Sequence, residues 1–74
     1  MYTISRSELP SDMFLFISEI QRLGVWRILE LKSDHVIFYS KGRFMVMVPR
    51  KLDVLFETFR SREGASDFVL GVLV

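Results

Sequence analysis

Between Gly24 and Lys51 the chain reads GVWRILELKSDHVIFYSKGRFMVMVPRK, three strand-like runs separated by two short turns. Val25 to Leu31 or Lys32 is rich in β-branched and aromatic residues, as are His35–Tyr39 and Phe44–Val48, and such residues suit a pleated surface. Ser33-Asp34 reads as the first turn and Ser40-Lys41-Gly42-Arg43 as the second, with Gly42 free to take a positive φ. Pro49 ends the third run, because proline has no N–H for a ladder. Turns this short join antiparallel neighbours, so the run predicts a three-stranded meander.

Periodicity changes on either side. Met13, Phe16, Ile17, Ile20 and Leu23 recur at helical spacing, with Pro10, Ser11 and Asp12 as start signals and Gly24 as a stop. They predict a helix over 11–23. Leu52, Leu55, Phe56 and Phe59 fall at i, i+3, i+4 and i+7 and predict a second helix over 52–62, stopped by Gly64. Phe56 and Phe59 are expected to pack on Phe38, Phe44 or Val46. Tyr2–Ser5 is β-prone but short. Residues 66–74 suit a strand, although Ser66 and Asp67 could also cap a short final helix; the strand is preferred. The expected fold is α+β, one domain over 1–74, in the order α-β-β-β-α. It has a three-stranded antiparallel sheet, two helices on one face, and short extra strands possible at the termini.

Side chains alternate along a strand. Val36, Phe38, Phe44, Val46 and Val48 are the expected core face. His35, Ile37, Tyr39, Met45 and Met47 then share the second face. An uncovered sheet face is normally polar, whereas this one carries Ile37, Tyr39, Met45 and Met47, and methionine adapts to varied partners. These four residues are the expected interface. Composition agrees: half of the 74 residues are apolar and none is cysteine. A domain this small buries only about 60% of its unfolded surface and here has no disulfide to brace it. A homo-oligomer or a protein partner is the expectation. No apolar run is long enough for a membrane span, and the first residues lack the apolar segment of a secretory signal, which points to the cytoplasm.

Ten basic and nine acidic residues give a net charge of +1, no strong footprint for a nucleic-acid binder. Local clusters count for more than the sum. Arg27, Lys32, Lys41, Arg43, Arg50 and Lys51 stand at strand ends and turns, where they could line up on phosphates. Trp26 and Tyr39 could stack on bases, though a tryptophan beside a helix end is more often core. His35, the sole histidine, could act as a general acid or base, or simply bond Asp34 or Ser33 at its turn. No carboxylate spacing marks a metal site, and no cofactor is implied.

The order of these pieces resembles the HicA (YcfA-like) toxins of HicAB toxin–antitoxin systems. The resemblance rests on Leu23-Gly24-Val25-Trp26, then Arg27, then Lys32-Ser33-Asp34-His35 with Phe38, then Val46-Met47-Val48-Pro49. The segment from Val54 to Arg60 and on to Phe68 is similar to the family's closing helix. It covers about residues 7–70. It implies a double-stranded-RNA-binding-like fold, messenger RNA as substrate, His35 as the catalytic group and a HicB antitoxin as partner. Asp34 separates Ser33 from His35, and only Arg50 and Lys51 follow the proline. The residues themselves favour a non-catalytic interaction or regulatory protein; the alternative is an RNA-binding or RNA-cleaving toxin using His35.

Overall fold

The computed structural model describes residues 2–8 and 12–73. Strand β1 (Tyr2–Ser5) leads through a 3-10 turn (Arg6–Glu8) to helix α1 (Met13–Arg22). Four strands follow: β2 (Arg27–Leu31), β3 (Val36–Ser40), β4 (Arg43–Pro49) and β5 (Asp53–Phe59). Helix α2 (Arg62–Leu73) completes the described chain. All neighbouring strands pair antiparallel, in the order β1-β5-β4-β3-β2. The α+β class holds, but the sheet has five strands rather than three.

The two helices lie on opposite faces of the sheet, not on one. Ile17 of α1 packs with Val36, Phe38, Met47, Val54 and Phe56. Ala65 and Val69 of α2 pack with Ile37, Val46, Val48 and Leu55. The cause is visible in three triplets, Val36-Ile37-Phe38, Val46-Met47-Val48 and Val54-Leu55-Phe56, each buried throughout. Because neighbouring side chains point to opposite faces, a continuous apolar run is stable only where both faces are covered.

The β3–β4 register corrects the expected grouping of side chains. Lys41 (φ 47°) and Gly42 (φ 79°) both take positive φ, as a two-residue hairpin turn of type I′ requires. Ser40 is thereby set opposite Arg43, Tyr39 opposite Phe44, Phe38 opposite Met45 and Val36 opposite Met47. Residues directly opposite share a face. Met45 and Met47 therefore sit with Phe38 under α1, while Phe44, Val46 and Val48 sit with Ile37 under α2.

The expected second helix over 52–62 is instead β5 from Asp53 onward. Val54, Phe56, Thr58 and Phe59 favour a strand, and β5 finds ladder partners on both sides, β4 and β1. Pro49 ends β4 as expected, standing opposite Val54 at its last position. The tail is a helix, not a strand. Ser61 caps it, its Oγ accepting from Gly64 N–H at 3.0 Å, and Ala65, Phe68, Val69 and Val72 recur at helical spacing toward the sheet. At the start of α1, Asp12 Oδ1 accepts from Phe14 N–H at 2.9 Å. Residue 11 of the expected first helix and Val74 of the expected last strand lie outside the described residues.

The β4–β5 turn is closed by a fork. Arg50 Nε and Nη2 donate to Asp53 Oδ1 and Oδ2 at 2.7 and 2.8 Å, and Arg50 N–H donates to Asp53 O at 2.8 Å. The hydrogen bonds from Arg50 hold the Asp53 carboxyl below its usual range. A depressed folded pKa stabilises above the unfolded value, about 3.9, and that contribution is lost as pH falls through the folded value. Asp53→Asn should therefore lower the melting temperature slightly at neutral pH. The gap from wild type should close as acid is added below about pH 4, and salt should shrink it, because the fork is at the surface. Melting curves across pH read both effects.

Candidate functional site

Residues Lys32–Asp34 form the tight connection between β2 and β3, closed by Lys32 N–H donating to His35 O at 2.9 Å. It turns the His35 ring back over the α2 side, where β2 supplies Glu30 opposite Ile37. His35 Nδ1 lies 2.8 Å from Asp34 Oδ1, and His35 Nε2 lies 3.2 Å from Glu30 Oε2. The histidine side chain is 11% exposed, against 32% for Glu30 and 57% for Asp34. A carboxylate only accepts, so both contacts are hydrogen bonds together when both ring nitrogens carry a proton. Neither nitrogen is left over for a substrate in this arrangement. What it does chemically is clasp the β2–β3 turn to the strand before it.

A cavity of about 220 Å³ adjoins the clasp, lined by Glu30, His35, Ile37, Ser66, Val69 and Leu70. Among the described residues no group of three His, Cys, Asp or Glu side chains is placed to hold a metal ion. Glu30 was not singled out by sequence reasoning as a partner of His35. Its signal is its distance, five residues back across a short turn, where hairpin pairing returns it to the same face. Removing the ring leaves Asp34 and Glu30 without the partner they share. His35→Ala should cost about 1–3 kcal/mol of stability in urea unfolding, the range for hydrogen bonds to charged groups and for orphaned partners. A change below a few tenths would contradict the clasp.

The six expected phosphate contacts do not form one rim. Strand directions place Lys32, Arg50 and Lys51 at the end of the sheet with the β2–β3 and β4–β5 turns. Arg27, Lys41 and Arg43 are at the other end. Arg50 is engaged by Asp53 and also accepts from Arg6 Nε through its carbonyl at 2.9 Å. At the other end the Arg27 guanidinium lies 5.8 Å from the Tyr39 ring centroid, and Tyr39 and Phe44 are in ring contact at 5.0 Å. Arg60 joins this group, lining a small hollow with Arg43, Thr58 and Phe59. Trp26 is partly buried against the core under α1, the structural role rather than the stacking one.

The expected interface is not a surface. Ile37 and Met47 are 1% and 0% exposed and lie on opposite faces, covered by α2 and α1 respectively. Met45 follows Met47 under α1, and Tyr39 follows Ile37. The apolar surface is elsewhere. Phe14 and Leu15 of α1 are 71% and 58% exposed. A groove of about 380 Å³ runs between α1 and the β1 edge, lined chiefly by Tyr2, Ile4, Phe16, Ile20, Met45 and Phe56. A second, of about 360 Å³, lies on the other side of the start of α1, between Met13, Phe14, Leu31 and Pro49.

Compared with known proteins, the chain matches no family model, no curated protein and no solved structure. Among the described residues no helix is long and apolar enough to cross a membrane.

Proposed function

We propose that this chain is a small non-catalytic interaction domain that self-associates or takes a protein partner on the α1 side of its sheet. The observation that carries the reading is the incomplete cover of that side. Five strands spaced about 4.8 Å apart make a sheet roughly 24 Å wide, whereas one helix with its side chains spans about 10–12 Å. Helix α1 therefore leaves an apolar groove on either flank. The His35 clasp supports the non-catalytic half, because both ring nitrogens are occupied by carboxylates. A dilution series followed by amide chemical shifts tests the reading. Self-association moves Ile4, Phe16, Ile20 and Met45 with concentration. Shifts that ignore concentration, and ignore every protein partner offered, count against it.

A second reading, RNA binding of the HicA kind, is favoured by one observation. Arg27, Lys41, Arg43 and Arg60 gather at one end of the sheet, Arg27 and Lys41 around the half-buried ring of Tyr39 and Arg43 with Arg60 in a second hollow. Cations beside aromatic rings suit single strands, with stacking on the rings and phosphates on the cations. RNA would then shift Arg27, Tyr39, Lys41 and Arg43, and affinity would fall steeply with salt. His35→Ala would leave such binding unchanged.

A further inference from the structure

The sheet ends in two strands that differ as edges. β2 has a register irregularity between Ile28 and Glu30 and carries Arg27 and Glu30. Bulges and charges are the usual means of keeping an edge from pairing with another chain. β1, Tyr-Thr-Ile-Ser, has no charge, no proline and no irregularity in its register with β5.

The free hydrogen-bonding groups of β1 can be assigned. Arg6 N–H donates to Leu52 O at 3.0 Å, which continues the register of Tyr2 with Phe56 and Ile4 with Val54. In an antiparallel ladder, residues that bond the neighbour alternate with residues that face away from it. Tyr2, Ile4 and Arg6 therefore bond β5, and the N–H groups of Thr3 and Ser5 and the C=O of Thr3 point outward from the sheet, while the C=O of Ser5 also opens the 3-10 turn.

We infer that β1 is the pairing edge for a second copy of this chain, the two β1 strands running antiparallel about a two-fold axis normal to the sheet. The inference rests on the interaction reading above and names its partner. Such an axis keeps α1 on the same side in both copies, so side chains opposite each other must share a face. The register that pairs both outward-facing residues sets Ile4 opposite Ile4 of the second copy and Thr3 opposite Ser5. Each Thr3–Ser5 pair exchanges two hydrogen bonds, so the four outward N–H groups of Thr3 and Ser5 are satisfied at once. A partner built of the same strand has the same spacing of outward groups and equally no charge to oppose. The same pairing brings the two Tyr2–Ile4 grooves together. The apolar margin that one helix cannot cover is then closed by the other copy, in a continuous ten-stranded sheet. Isologous contacts of this kind are the commonest in homodimers.

Thr3→Pro is the test, because it removes an outward N–H and none of the β1–β5 bonds. Sedimentation equilibrium of the full chain should show a dimer in the wild type. In Thr3→Pro its dissociation constant should rise at least about tenfold, since the dimer loses two hydrogen bonds. An unchanged melting temperature of the diluted monomer shows that the fold is kept. The chain has no cysteine, so Ile4→Cys can form only an intermolecular disulfide, and opposed residues of this kind are close enough to form one. Ile4→Cys should oxidise to a covalent dimer, whereas Leu31→Cys on the β2 edge should not. A wild-type dimer unaffected by Thr3→Pro, or linked through Leu31→Cys, overturns the β1 assignment and leaves the interaction reading standing. A wild type that stays monomeric to millimolar concentration overturns both the assignment and self-association. Tight capture of a foreign β-strand peptide by a chain that remains monomeric overturns the second copy as occupant.

Discussion

Phe38→Ala is expected to leave the protein largely unfolded at physiological temperature. Phe38 is the middle residue of the buried β3 triplet, 0% exposed, and packs with Ile17, Val36, Met47, Val54 and Phe56 under α1. Removing a fully buried phenyl ring costs about 3–5 kcal/mol, transfer and cavity together. A domain of this size commonly has little more than that in reserve. In urea or heat the variant should lose at least about 12 °C of melting temperature, at roughly 4 °C or more per kcal/mol for a small domain. Phe14→Ala is the matched control. Its ring is largely exposed, and its stability should stay within about 0.5 kcal/mol of wild type. If the two variants melt alike, the core has been assigned to the wrong face of α1.

Ala65→Asp is expected to have a comparable effect through the other face. Ala65 is 0% exposed where α2 meets Ile37, Val46, Val48 and Leu55. The larger side chain has no room there, which alone costs about 1–3 kcal/mol. Its carboxylate would be buried among apolar groups, a further loss of several kcal/mol. The expected result is release of α2, seen as lost helical signal, rapid exchange at Ile37 and Val46, and a lowered melting temperature. Ala65→Gly, which changes helix propensity and little else, should cost only about 1 kcal/mol. An Ala65→Asp protein as stable as Ala65→Gly would mean that α2 does not cover this face.

The two faces also explain what could and could not be read from the sequence. Helix α1 and strands β2 to β4 are legible because their periods are clear and their turns carry Gly24, Ser33-Asp34 and Lys41-Gly42. Strand β5 is not. Leu52, Leu55, Phe56 and Phe59 mimic helical spacing, and burial of Val54, Leu55 and Phe56 on alternating faces removes the alternation that marks a half-exposed strand. The same double burial makes Ile37 and Met47 look like a sticky open face. Helix α2 is hidden by Gly64 and Gly71, although Ala65, Phe68, Val69 and Val72 keep its period. Grouping Met45 and Met47 with Ile37 was a one-residue register error. The positive-φ pair Lys41-Gly42 decides that register, and it was legible only as a turn, not as a two-residue loop of fixed parity.

At the site, the sequence supplies His35 and the neighbouring Asp34. It does not supply Glu30, whose approach depends on how the hairpin folds back. The basic residues were legible as a set but not in their division, because which strand ends share a side of the molecule follows from strand direction. The β1 edge was read only as a short β-prone stretch. Its importance comes from β5, whose helix-like spacing in the sequence hides the neighbour on which β1 depends.

The most direct measurement is amide hydrogen exchange at Thr3 and Ser5, compared with Tyr2 and Ile4, as a function of protein concentration. In a single copy, Thr3 and Ser5 face solvent and Tyr2 and Ile4 bond β5. The account predicts that Thr3 and Ser5 exchange fast in dilute solution and become protected as concentration rises, while Tyr2 and Ile4 change far less. Thr3 and Ser5 amides that remain unprotected at every concentration, in a chain that nonetheless associates, would contradict it.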